Sequence, residues 1–343
     1  MFRAGIVGCG RIGSEFDEDP LRTTISTHAG AFTANSDIDF VAVADLDEGK
    51  LQKCGKRWNI TSLYQDYRRM LKEQNLDILS ICTWNSTHLD IVREAVASGV
   101  KAVFCEKPIA DSLKHADEII KLCREKGVIL QIDHQRRFDK THRKVRDYIQ
   151  SGELGGIQQV TFYYTAGIAN TGSHVFDLLR FFFGDVDWVR AVYSQSQSPN
   201  PKDPNIDGIL RFKTGVLGSV QSCNVQDFLI FEMNCLGAKG RLNIIDSGYG
   251  IEYYRVRESR LFSGYKEPFR TVPPFPVDEP RTFMESAVSH LVECVKNNAE
   301  PVSSGADGRA ALELICAFHE SAAADGRRIP LPLKGSRIEI QSR

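Results

Sequence analysis

The sequence predicts an α/β protein in two dissimilar parts: a parallel sheet covered by helices, then an α+β half with a large, mainly antiparallel open sheet. Three observations carry this. Short apolar runs alternate with amphipathic helical stretches over the first 130 residues. After residue 150, runs rich in Val, Ile, Phe and Tyr follow one another closely, several separated by glycine turns. The 343 residues also exceed a usual single domain. The expected division is residues 1–130 and 131–343.

In the first part the apolar runs 2–7, 40–44, 78–82, 102–105 and 128–132 read as strands. Between them, Ile91, Val92, Ala95 and Val96, then Leu113, Ala116, Ile119, Ile120 and Cys123, show the spacing of helices with one buried face. Strand–helix alternation demands parallel strands with both faces covered. In the second part strands are expected at 158–166, 188–195, 209–212, 215–222, 228–235 and 241–245. Two helices close the chain, one carrying Phe283, Ala287, Leu291, Cys294 and Val295, the other Leu312, Ile315 and Cys316. Segment 196–205, with three prolines, reads as a loop, and 262–280 as another.

Composition narrows the function. A formal charge of −1, without a basic run or basic helix face, argues against nucleic acid as partner. The nine cysteines form no CxxC pair, so no metal is expected. Their odd number, without a framework, suits a reducing compartment. The first residues enter a strand directly, without a charged leader, and no run of eighteen apolar residues exists. The expectation is a cytoplasmic protein with no membrane partner.

The sharpest motif is Gly8-Cys9-Gly10-Arg11-Ile12-Gly13, which follows the first strand at once. Gly8 permits the tight turn, Gly10 leaves room for a pyrophosphate, and Gly13 lets the next helix pack on the strand. The phosphates would meet amides at that helix's N-terminus. A bare glycine-rich turn is the other reading; its place at the head of an alternating β/α chain favours a dinucleotide. Asp45, ending the second strand, is placed to bond the ribose hydroxyls and to repel a 2′-phosphate, which favours NAD. It lies thirty-two residues after Gly13 rather than the usual twenty or so. Segment 14–27, with Glu15, Asp17, Glu18, Asp19 and Pro20, supplies the excess and reads as an inserted surface loop rather than a lid.

Glu106-Lys107-Pro108 ends the fourth strand, at the edge where open α/β sheets hold ligands. A lysine beside an oxidised nicotinamide would have its pKa lowered, and Pro108 admits a cis bond that would aim it. A charged surface turn is the bland alternative. His174, in Asn170-Thr-Gly-Ser-His174-Val-Phe-Asp177, precedes an apolar helix. Either Ser173 caps that helix and Asp177 favours its dipole, or His174 is a base that takes a hydroxyl proton.

The whole set resembles the glucose–fructose oxidoreductase/inositol dehydrogenase/rhizopine-catabolism (Gfo/Idh/MocA) family. The matching pieces are GCGRIG, HAGAF (28–32), ADLD (44–47), CTWNSTH (82–88), EKPIA (106–110), HQRRFD (134–139), GSHVFDLLRFFFG (172–184) and SSGADGRAALELICA (303–317). The resemblance implies a Rossmann domain with NAD on Gly8, Gly10, Arg11, Ile12, Gly13 and Asp45. It further implies Thr83, Trp84, Asn85, His88, Glu106 and Lys107 along the nicotinamide side. Lys107, His174 and Asn170 would be catalytic, and His134, Arg137, Asn170 and Asp177 would approach the substrate. For Arg136 and Arg137 a salt-bridge role is the alternative. A homodimer or homotetramer through the second sheet is implied too.

Two positions depart from the family. Trp84 stands where many members have proline, and its indole would pack on the cofactor or narrow the pocket. Asn170 stands where inositol dehydrogenases have aspartate; an amide orients a hydroxyl but cannot take its proton. The expected reaction is NAD(H)-dependent oxidation or reduction of a ring hydroxyl on a sugar, cyclitol or sugar nucleotide. The rivals are an NAD-dependent glycosidase using transient oxidation, and a non-enzymatic NAD-sensing regulator.

Overall fold

In the computed structural model, which describes residues 1–277 and 282–342, the first apolar runs form six parallel strands: β1 (Phe2–Val7), β2 (Ile38–Ala44), β3 (Ser62–Tyr64), β4 (Ile78–Ile81), β5 (Ala102–Cys105) and β6 (Ile129–Ile132). Their order is β3-β2-β1-β4-β5-β6, with every neighbouring pair parallel. All four residues of β4 and of β5 are buried, as a sheet covered on both faces requires. The chain turns outward in opposite directions from β1 and β4, which opens a crevice at their carboxyl ends. Helices α1 (His28–Ala34), α2 (Glu48–Trp58), α3 (Tyr67–Gln74), α4 (His88–Ser98) and α5 (Leu113–Lys126) link the strands. Sequence-legible caps start several of them: Thr27 accepts from the Gly30 amide, Asp47 from Lys50 and Ser112 from His115.

The expected helix after the glycine turn is split. The Ser14 amide bonds the Gly10 carbonyl at 2.9 Å, completing one turn, and the chain then leaves through a short 3₁₀ segment, Glu15–Glu18. It returns at His28, whose amide bonds the Ile12 carbonyl at 3.1 Å while that of Ala29 bonds Gly13 at 3.0 Å. Residues 14–27 are thus an excursion out of what would be one helix. Asp17 closes it by accepting from the Ser26 amide and the Thr27 hydroxyl, and Lys53 pairs with Glu18 at 2.6 Å. The Trp58 indole donates to Ser14 Oγ at 2.8 Å.

The second sheet has nine strands in the order β14-β13-β12-β11-β7-β10-β9-β8-β15. They are β7 (Ile157–Tyr164), β8 (Val186–Tyr193), β9 (Ile206–Phe212), β10 (Leu217–Ser222), β11 (Phe231–Gly237), β12 (Gly240–Ile245), β13 (Gly250–Glu258), β14 (Lys266–Thr271) and β15 (Ile329–Pro330). All pairs are antiparallel except β7 with β10. Helices α6 (Lys140–Gln150) and α7 (Gly172–Phe183) belong with this sheet; α8 (Phe283–Asn297) and α9 (Gly305–Ala323) follow it in the chain. The Phe176 ring of α7 meets Phe318 of α9 at 4.7 Å, within a core shared with Phe162, Phe212 and Met233.

Three strands escaped the sequence reading here. β13 and β14 are polar-interleaved, and β14 is an edge strand carrying Pro268, both weak signals. It corrects the expectation of a loop over 262–280, of which 278–280 lie outside the described residues. β15 is only two residues long. Segment 196–205 is the loop expected.

The chain divides into two units that interleave in sequence: Met1–Asp139 with Pro280–Leu312, and Lys140–Glu279 with Glu313–Arg343. A single break at residue 130 was expected instead. The difference arises because α8 buries Met284, Ala287, Val288 and Leu291 in the core of the parallel sheet, where Gln131 Nε2 donates to the Ala287 carbonyl. Periodicity shows that α8 has an apolar face but not which sheet receives it.

Candidate functional site

At the end of β1, Gly8 takes φ +100°, and an added Cβ would lie 2.8 Å from the Cys82 carbonyl. A Cβ on Gly13 would overlap the Gly8 carbonyl oxygen, so the turn closes only without side chains at both positions. Around Gly10 a Cβ would meet nothing within 4 Å. That open volume, over amides at the crevice, fits a pyrophosphate. The Cys9 amide donates to Asp45 Oδ2 at 2.6 Å and the Asp47 amide to Oδ1 at 2.8 Å. These bonds fix the Asp45 carboxylate beside the turn, and the remaining lone pairs suit ribose hydroxyls.

Beyond β4, Thr83 Oγ1 and Thr87 Oγ1 lie 2.7 Å apart, and Asn85 Nδ2 donates to the Ala110 carbonyl. The Trp84 indole is 55% exposed. His88, by contrast, is fully buried. Its Nε2 lies 3.2 Å from the Thr83 carbonyl and its Nδ1 3.1 Å from that of Ile109, so it braces both segments from beneath. Burial lowers its pKa, and a neutral ring, with one N–H, donates to only one of these carbonyls.

Glu106 and Lys107 follow β5, and the Lys107–Pro108 peptide bond is cis. The Lys107 amide donates to Glu106 Oε2 at 3.2 Å. Under this pair lies a group the sequence reading did not single out. His28, the first residue of α1, is wholly buried, with Nε2 3.1 Å from Glu106 Oε1 and 3.6 Å from Asp133 Oδ2. Its Nδ1 is 2.5 Å from Ser80 Oγ. Burial alone would lower the His28 pKa, but the Cys82 sulfur and the two carboxyl groups lift it well above the ordinary value. Burial opposes ionisation of Glu106 too, yet His28 outweighs it and holds that carboxyl low. Burial and then the Glu106 charge push Asp133 up to about 7. One signal was available: Asp133 is charged yet directly ends an apolar strand, as Glu106 does.

After β6, His134 is buried with Nδ1 3.4 Å from Ser303 Oγ. The Arg137 guanidinium, also buried, lies 3.0 Å from Asp307 Oδ1 and donates to the Val302 carbonyl, which is the salt-bridge alternative.

In the second unit, Asn170 lies in the turn before α7 and His174 four residues later in the first turn of the helix. The helix begins at Gly172, so Ser173 does not cap it; its hydroxyl donates to the Asn170 carbonyl at 2.9 Å. Asn170 Nδ2 donates to the Ala166 carbonyl, and Asp177 is buried within α7. Loop 196–205 sets this turn. The buried Asp203 accepts from the amides of Ala169 (2.7 Å) and Asn170 (2.8 Å), and Asn205 Oδ1 accepts from Gly167. Nothing local in the sequence announces that pairing, which spans more than thirty residues.

Thus Gly8, Gly10, Arg11, Ile12, Gly13, Asp45, Thr83, Trp84, Asn85, Glu106 and Lys107 gather at the carboxyl edge of the first sheet, with His88 beneath. Asn170, His174 and Asp177 gather at the head of α7. A parallel sheet in this order, with a glycine turn at its crevice and an acid at the end of β2, defines a dinucleotide-binding domain of the NAD type. The chain belongs to the Gfo/Idh/MocA oxidoreductase family. Residues 2–134 match its "NAD-binding Rossmann fold" and residues 167–331 its "C-terminal alpha/beta domain". It is 26% identical to D-apiose dehydrogenase of Paraburkholderia graminis, over 96% of this chain and 90% of that one. It is likewise 26% identical to myo-inositol 2-dehydrogenase of Thermotoga maritima, over 93% and 96%. Among solved structures, WlbA dehydrogenase from Bordetella pertussis, in complex with NADH and UDP-GlcNAcA, shares the fold. Its TM-score is 0.77 at 24% identity, covering 97% of this chain and 99% of that one. The chain is thus an NAD-binding member of an oxidoreductase family.

Proposed function

We propose that this enzyme reversibly oxidises a ring hydroxyl of a sugar, cyclitol or sugar nucleotide, with Lys107 and His174 as its catalytic groups. The observation that carries the reading is Lys107 after β5, beside the crevice, together with His174 in the first turn of α7, four residues after Asn170. Relatives named for apiose and inositol, matched over nearly their whole length, support the substrate class. Both names denote dehydrogenases, which favours net oxidoreduction over a glycosidase. The family's description as oxidoreductases favours an enzyme over a purely regulatory NAD sensor.

Bound NAD⁺ supplies the two-electron acceptor. Gly8, Gly10, Arg11, Ile12 and Gly13 hold its pyrophosphate, Asp45 its ribose, and Thr83, Trp84, Asn85 and Glu106 flank the nicotinamide; His88 supports that wall. Lys107 holds and polarises the reacting oxygen, and His174 takes the hydroxyl proton. Asn170 orients a neighbouring hydroxyl through its amide. His134, Arg137 and Asp177 contribute on the substrate side, Arg137 through the fold of the segment that carries it. The exposed face of the second sheet, with Val192, Ile209, Leu217 and Leu236, forms a homodimer or homotetramer contact. Nine free cysteines fit a cytoplasmic setting. No helix among the described residues is long and apolar enough to cross a membrane.

The test is NADH formation across a panel of sugars, cyclitols and sugar nucleotides with wild type, Lys107→Met and His174→Ala. Each variant is expected to lose at least about 100-fold in kcat while still binding NAD⁺. Undiminished turnover in both would refute the assignment.

A further inference from the structure

Three ionisable side chains meet inside the first unit, His28 and Asp133 buried and the Glu106 side chain 10% exposed. His28, Glu106 and Asp133 come from α1 and from the ends of β5 and β6, and their facing atoms lie within 4.8 Å of one another. Isolated buried charges are costly, so such a group must balance itself internally. Two carboxylates and one imidazolium would leave one unmatched negative charge. A proton on one carboxyl restores neutrality. Asp133 is the member that takes it: neither of its oxygens has a hydrogen-bond donor at ordinary distance, whereas Glu106 Oε1 has the imidazole at 3.1 Å. Ser80 fixes the ring from its other side and the Phe104 ring packs against it at 4.5 Å, so Nε2 stays aimed at the carboxyls.

We propose that His28 and Asp133 are positioning residues, which share a buried proton with Glu106 and so hold Lys107 in place. The link to Lys107 is direct: its amide donates to Glu106, and the two residues are adjacent in the chain. With Asp133 protonated, the imidazolium serves Glu106 alone. When Asp133 ionises, two carboxylates compete for one imidazolium and the hold on Glu106 loosens. Activity carried by Lys107 therefore falls as Asp133 loses its proton. The groups facing Asp133 are His28 on α1, Glu106 after β5 and the Cys105 thiol at the end of β5, while Lys107 acts on Glu106 and Cys82 on His28. The Arg137–Asp307 ion pair, downstream of β6 and on α9, is bonded in turn to Val302 and Ser304.

The inference rests on Lys107 acting at the reacting oxygen, so Lys107→Met is run in parallel. Asp133→Asn keeps the shape of the protonated acid and removes its titration. With Asp133 pushed up to about 7, its protonated fraction drops roughly tenfold from pH 6 to pH 8. The ratio of wild-type to Asp133→Asn kcat is expected to fall by that factor over the range, a comparison that cancels the titration of His174. The KM for NAD⁺ should stay within about twofold. A ratio that does not change with pH, in a folded variant, overturns the proposal. If Asp133→Asn does not fold, Ser80→Ala replaces it. Loss of the hydroxyl at His28 Nδ1 is expected to displace the same inflection, and an unmoved inflection overturns the proposal. A stoichiometric divalent ion, retained by wild type and lost on Asp133→Asn, overturns it too, because the triad would then be a metal site. If Lys107→Met keeps full turnover, the parent reading fails whatever Asp133 does.

Discussion

Gly10 and Gly13, in the turn proposed to hold the pyrophosphate, make opposite demands, and alanine at each should separate folding from binding. At Gly13 a methyl group would collide with the Gly8 carbonyl oxygen, which is backbone and cannot rotate away. Overpacking of this kind costs about 1–3 kcal/mol, and a unit of this size loses roughly 2–4 °C of Tm per kcal/mol. At Gly10 a methyl group enters empty space, and the backbone φ is not in the left-handed region. Gly10→Ala should therefore leave the free protein unchanged or stabilise it by about 0.4–1 kcal/mol, through the lower entropy of its unfolded chain. The space it fills is the pyrophosphate's, so NAD⁺ affinity should fall about 100-fold, or about 2.7 kcal/mol. At an NAD⁺ concentration one hundred times the wild-type Kd, ligand stabilises wild type by about 2.7 kcal/mol and the variant by about 0.4 kcal/mol. Scanning calorimetry with and without NAD⁺, backed by isothermal titration, reads both quantities. A Gly10→Ala protein with the wild-type Kd would refute the placement of the cofactor on this turn. One with a sharply lowered Tm in the absence of NAD⁺ would refute the open space.

Two further outcomes follow from hydrogen bonds in each unit. Asp45→Ser removes a carboxylate that holds the Cys9 amide and faces the ribose; NAD⁺ should bind roughly 10–100-fold more weakly, with narrower discrimination against NADP⁺. Competitive titration of both cofactors decides, and undiminished preference for NAD⁺ would assign selectivity elsewhere. Asp203→Ala strands the Ala169 and Asn170 amides in a buried turn, so unfolding free energy should drop by about 2–3 kcal/mol. In this variant kcat should fall while NAD⁺ affinity holds, since the damage lies beside His174. Equal losses in both would show that the turn is not confined to substrate chemistry.

Much of this molecule was legible in one dimension. The parallel sheet and its crevice follow from apolar runs at β/α spacing, and the cofactor turn from glycines directly after a strand, because these features are local. Asp45, Glu106 and Lys107 were readable for the same reason, since each ends a strand whose direction the pattern already gives. Only the tertiary structure decided which sheet α8 would complete, because an apolar face does not name its partner. It also decided that residues 14–27 interrupt a helix and rejoin it, and that Asp203 organises the turn before His174. The His28–Glu106–Asp133 group belongs there too: its members are about eighty and then thirty residues apart, and each looks ordinary until burial removes the water that would otherwise have separated their charges.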